Sequence, residues 1–199
     1  MQFKIKNTKI TISFTFFALI IILISLDKTE FLYTSIVFAL AHELGHLLAL
    51  KYYKVSVREF KISLFGGNIK VIDSNKMKYY QTVIVSFSGP FVNLCFVILF
   101  YIINTFLKNK LTYEIYAVNF VLALFNLLPF YNFDGGKILS SVLLYFFEEK
   151  MVNLIITITS FIILIPFTYL AIYIFSLNFK DFYLLVASLL MLLTIIFKK

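Results

Sequence analysis

The chain has 199 residues, 61% of them hydrophobic and 14% charged, with a formal net charge of +8 and a mean hydropathy of +0.94. This composition excludes a water-soluble domain and leaves almost nothing for a soluble domain beside the apolar segments. The basic residues flank apolar runs, which argues for orientation in a bilayer and against nucleic-acid binding, and a lone cysteine, Cys95, excludes an intramolecular disulfide.

The pattern predicts an all-α polytopic membrane protein, one membrane-embedded domain over residues 1–199, with about six transmembrane helices and a short cytosolic β-hairpin. The first span, Ile10 to Leu26, follows Lys4, Lys6 and Lys9, and no small-residue cleavage site follows it, so it reads as a retained anchor. The second runs from Phe31 to Leu50. After it, Val55, Val57, Ile62, Leu64, Ile69 and Val71 alternate with a period of two, and Gly66-Gly67 is a two-residue hairpin signal. The third span is Val83 to Leu107, with Ser88-Gly89-Pro90 near its start. The apolar stretch from Tyr113 to Phe147 is too long for one crossing and is interrupted at Pro129, Asn132, Asp134, Gly135, Gly136 and Lys137. Two further spans, Val152 to Phe175 (with a kink expected at Pro166) and Phe182 to Phe197, complete the set.

With the N-terminus in the cytosol, thirteen Lys and Arg fall on the cytosolic side against Lys28, Lys108, Lys110 and Lys180 outside. The positive-inside rule therefore places both termini of this multi-pass membrane protein in the cytosol.

The only two histidines, His42 and His46, frame the run His42-Glu43-Leu44-Gly45-His46, the His-Glu-x-x-His pattern of zinc proteases. On a helix the two imidazoles share a face and reach one metal ion, while Glu43 can hold a water bound to it. Lys51 follows closely, so the site lies in the membrane toward the cytosolic face. A catalytic zinc takes three protein ligands and keeps one position open. Within the apolar segments the only other acidic residue is Asp134, in the interrupted stretch, which makes it the candidate third ligand; a cap on a helix starting at Gly135 is its other reading. A hydrogen-bonded pair between helices is the alternative for the histidines. The rival functions are a zinc membrane protease using Glu114, Glu148 or Glu149 as third ligand, a membrane metal transporter, and an inactive zinc-binding homologue.

Three motifs occur in order: His42-Glu43-Leu44-Gly45-His46, Ser88-Gly89-Pro90-x-x-Asn93, and Asn126-Leu127-Leu128-Pro129-x-x-x-x-Asp134-Gly135-Gly136. Together they resemble the site-2 protease family of intramembrane zinc metalloproteases, closest to its bacterial stage IV sporulation protein FB branch. The motifs lie within residues 31–147; residues 10–26, 152–175 and 182–197 are accessory helices. The resemblance implies one Zn2+ per chain on His42, His46 and Asp134, and Glu43 as catalytic base. It also implies substrate contact or site lining by Asn93 and Asn126, and a strand region beside the substrate. The expected reaction is hydrolysis of a peptide bond in or next to a transmembrane segment of a membrane-associated protein, such as a sigma-factor or other regulatory precursor. A membrane regulatory protein is an expected partner. Asn132, Phe133 and Lys137 depart from the branch, which often has a proline before the aspartate and an arginine after the glycines. The branch also carries a nucleotide-sensing CBS domain beyond the last span, not expected here because the chain ends at Lys199.

Overall fold

The computed structural model describes residues 2–5, 8–12, 30–63, 66–71, 77–178 and 182–197. The chain divides into two compact units, Met1–Leu127 and Leu128–Lys199.

The first unit holds a sheet and three helices. Strands β1 (Gln2–Ile5), β2 (Thr8–Ile12), β3 (Val57–Ser63) and β4 (Gly66–Val71) are ordered β1-β2-β3-β4. The β1–β2 and β3–β4 pairs are antiparallel, and β2 runs parallel to β3. Thr11 Oγ1 donates to Glu59 Oε1 at 3.1 Å across the parallel pair. Two expectations change here. Gly66 and Gly67 do not form the turn; they lie inside β4, opposite Ser63 and Ile62, and residues 64–65 lie outside the described residues. The expected first span, Ile10 to Leu26, opens within β2, and its remainder after Ile12 lies outside the described residues. The apolar alternation changes phase between Val57 and Ile62 because the β3–β4 register shifts between Val57 and Glu59, where an irregularity puts an extra residue in one strand.

Helix α1 (Glu30–Tyr52) ends where Lys54 takes a left-handed φ of 57° and the Val55 amide donates to the Leu50 carbonyl at 2.9 Å, closing the last turn. Helix α2 (Tyr79–Leu107) packs on α1 and on α3 (Lys110–Leu127). Phe38 meets Phe96 edge-on at 4.9 Å, and Tyr101 meets Tyr116 at 5.9 Å. The α2–α3 turn is built from polar atoms. Lys108 is left-handed, with φ 45°. Asn109 Oδ1 caps α3 by accepting from the Thr112 amide at 2.8 Å, and the Thr112 hydroxyl donates to Asn104 Oδ1 at 2.7 Å.

The second unit contains α4 (Asp134–Leu143), α5 (Glu149–Leu177) and α6 (Tyr183–Ile196). Its core is Phe130, Leu164, Met191 and Ile195. Among the described residues, α1, α2 and α5 are long and apolar enough to cross a membrane. Helix α6 has 14 residues, ~21 Å at helical rise against a hydrocarbon core of ~30 Å. The long apolar stretch breaks as its Pro, Asn and Gly residues imply: α3 ends at Leu127 and α4 begins at Asp134.

Candidate metal centre

His42 and His46 lie one turn apart on α1 and are 5% and 6% exposed. Tyr33, Val37, Leu40, Leu44 and Leu48 of the same helix are exposed. Such a stripe is unfavourable in water and suits hydrocarbon, so α1 divides between a lipid-facing side and a polar seam.

Helix α2 receives the seam. A Cβ added to Gly45 would stand 2.7 Å from the Ser88 carbonyl oxygen, so the two backbones touch there. A Cβ added to Gly89 would meet His46 Cε1 at 2.6 Å and His42 Nε2 at 2.7 Å. The Ser88-Gly89-Pro90 motif thus supplies missing volume, into which both rings fit. Pro90, inside α2 and buried, lacks the N–H that would bond the Ser86 carbonyl.

Hydrogen-bond polarity decides which ring nitrogens face one another. His46 Nδ1 lies 2.7 Å from the Val85 carbonyl oxygen. A carbonyl only accepts, so this Nδ1 carries the hydrogen and donates. The Ser88 hydroxyl donates to the same oxygen at 2.6 Å. His42 Nδ1 donates to Asn93 Oδ1 at 2.6 Å. The two Nε2 atoms, 3.2 Å apart, then turn their lone pairs toward one place. Lone pairs held that close repel unless a cation lies between them. Neutral imidazoles bonded through Nδ1–H and ligating through Nε2 are the donor form zinc takes, so these residues fit that ion.

In the second unit, Asp134 is 3% exposed and is the first residue of α4. It is not the cap of a helix starting at Gly135: Phe133 holds the N-cap position, with no side-chain cap bond. The carboxylate instead sits in the first turn, where the helix dipole favours a negative charge. The loop before it is tightly specified. Asn132 is left-handed, with φ 68°; Tyr131 donates its amide to Ser160 Oγ at 2.8 Å; Phe133 donates to the Phe130 carbonyl at 3.0 Å. Gly136 packs so closely on Phe130 that an added Cβ would stand 2.8 Å from its carbonyl carbon. Lys137 Nζ is 3.0 Å from Asp134 Oδ1.

His42 and His46 in the first unit and Asp134 in the second are each buried, and all three offer atoms that can ligate a metal ion. Glu43 is half-buried beside His42. The rival third ligands sit differently: Glu114 pairs with Lys110 at 3.4 Å, and Glu148 and Glu149 are exposed at the start of α5. Asn93 is fully buried, bonded to His42 and to Asn119. Asn126 is half-buried, and its amide donates to the Leu122 carbonyl of its own helix at 2.9 Å. Sequence reasoning missed Asn119 and the Val85 carbonyl. A backbone acceptor leaves no trace in a motif, but Asn119 carried a signal: it is a polar residue inside an apolar helix, seven positions before Asn126 and so on the same face.

The chain is 28% identical over 153 residues to a zinc metalloprotease of Methanocaldococcus jannaschii, covering 71% of this chain and 44% of that one. It is 31% identical over 107 residues to a Synechocystis protein whose name assigns it provisionally as a zinc metalloprotease, covering 51% of this chain and 28% of that one. The chain thus spans less than half the length of these relatives. Its fold is similar to that of a site-2 protease from Methanocaldococcus jannaschii, with a TM-score of 0.70 and 23% identity, over 96% of this chain and 91% of that one. The profile of peptidase family M50 matches residues 30–115 and 109–167. That match takes in the histidine pair, Glu43 and Asp134 and covers more than half of the sequence, and the chain belongs to peptidase family M50.

Proposed function

We propose that the chain is an intramembrane zinc endopeptidase that cuts a peptide bond in or next to a membrane-spanning segment of another protein, a membrane-tethered regulatory precursor being the substrate class. The observation that carries this reading is the buried histidine pair of α1, whose Nε2 atoms lie 3.2 Å apart while each Nδ1 is hydrogen-bonded to α2. His42 and His46 would hold the ion through Nε2 and Asp134 through a carboxylate oxygen, one ion per chain. Bound there, Zn2+ supplies Lewis acidity that makes a water acidic at neutral pH and polarises the scissile carbonyl.

The remaining work belongs to the chain. Glu43 accepts the proton of the attacking water and returns it to the leaving amine. The hydrogen bonds at Nδ1 of His42 and His46 keep both rings aimed. A transmembrane substrate hides its peptide bonds in helical hydrogen bonds and must open locally. Strand β4, one of the two outer strands of the sheet, has an edge suited to hold the opened segment by strand addition. The excess of Lys and Arg on one side supports cytosolic termini and a cut toward the cytosolic face.

The test is zinc content of the detergent-purified protein beside its His46→Ala and Asp134→Ala variants. One zinc per chain in the wild type, lost in both variants, is expected. Zinc kept by Asp134→Ala would move the third ligand elsewhere.

A further inference from the structure

We propose that Asn119 is a positioning residue: by holding the Asn93 amide in one orientation, it keeps the hydrogen of His42 on Nδ1 and so leaves Nε2 without hydrogen and able to ligate. The consequence for metal binding rests on the zinc reading above; the tautomer itself does not.

One end of this chain of bonds cannot change role. The Ile115 carbonyl only accepts, so the Asn119 amide nitrogen must donate to it, at 2.8 Å. That leaves Asn119 Oδ1 turned toward Asn93, where it accepts from Asn93 Nδ2 at 2.8 Å. Asn93 Nδ2 also lies 3.5 Å from the Phe38 carbonyl, a second acceptor on the same side. Asn93 Oδ1 therefore faces His42 Nδ1, at 2.6 Å. Both asparagines are 0% exposed, so bulk water does not exchange partners with them.

An asparagine amide has nearly the same shape either way round, so only its partners decide its orientation. A flipped Asn93 would set its oxygen against Asn119 Oδ1 and present N–H to His42 Nδ1. His42 would then carry its hydrogen on Nε2, the atom 3.2 Å from His46 Nε2, and a protonated nitrogen cannot ligate. His46 has no such exposure to error, because its Nδ1 is held by the Val85 backbone carbonyl, which cannot flip. Asn119 thus protects one of the two histidine ligands.

The chain has only two histidines, so imidazole nitrogen NMR of full-length, histidine-labelled protein in detergent reads both rings without overlap. In the metal-free wild type, Nδ1 of both rings should carry hydrogen. In Asn119→Leu, His42 Nδ1 should gain a hydrogen-free population while His46 does not change, and zinc affinity by chelator competition should fall ~10-fold or more. Asn93→Leu should lose as much, and adding Asn119→Leu to it should cost nothing further. Should leucine disturb the fold, Asn119→Ser, which can still bond Ile115 but not reach Asn93, carries the same expectation. A His42 Nδ1 that stays fully protonated in these variants, or additive losses in the double variant, would overturn the proposal. A wild type that takes up no zinc would count against the proposed function alone, since the metal-free spectrum still reports the His42 tautomer.

Discussion

The two histidines and the aspartate reach their positions by different means. His42 and His46 stand in the middle of a 23-residue helix. Helical periodicity aims them together, and hydrogen bonds from α2 lock each ring. Asp134 opens a 10-residue helix behind an irregular loop. Its place depends on a left-handed residue, a backbone contact at Gly136 and a serine of α5. A ligand within a long helix is thus set by side-chain partners, and a ligand at a helix start is set by backbone conformation. Substitutions that act on side-chain space and substitutions that act on φ should separate the two.

The largest effect should come from the proposed base. Glu43→Gln should keep one zinc per chain and lose cleavage by about 10²–10⁴-fold; normal turnover by this variant would remove Glu43 as the base. Gly89→Ala comes next. Its new methyl would press on both imidazoles, and overpacking of ~1–3 kcal/mol should appear as roughly 10–100-fold weaker zinc binding in chelator competition. An unchanged affinity would mean that α2 yields easily and that the histidine pair is less rigid than its bonds imply. The smallest effect belongs to the loop. Asn132→Ala places a less tolerant residue at a φ of 68° and should destabilise by ~1 kcal/mol, seen as a lower melting temperature, while Asn132→Gly should be close to neutral. Equal behaviour of the two would argue that side-chain bonding, not backbone conformation, holds Asp134.

Much of this was legible in the residues, and the exceptions have physical causes. Helices α1, α2 and α5 follow from long uncharged apolar runs, and the break between α3 and α4 follows from Pro129, Asn132 and the paired glycines. The histidine pair is legible because four-residue spacing on a helix is itself geometry. Strands β1 and β2 were not read as such. Their alternation, Phe3 with Ile5 and Ile10 with Ile12, is short and merges into an apolar run, and parallel pairing with β3 joins residues far apart in sequence. The turn expected at Gly66-Gly67 fell short for a related reason: a glycine pair permits a tight turn but also lies within a strand where backbones approach closely. Asn93 carried a motif, but its bonds to His42 and Asn119 connect three helices, and no local pattern records that.

The exposed row Tyr33, Val37, Leu40, Leu44 and Leu48 shares a helix with the ligands but does not mix with them. Dependence on lipid and capacity for metal are therefore written on separate sides of α1, and they can be edited separately. Recoding the row with polar residues would make α1 less dependent on detergent without replacing either imidazole or the carbonyl oxygens that aim them.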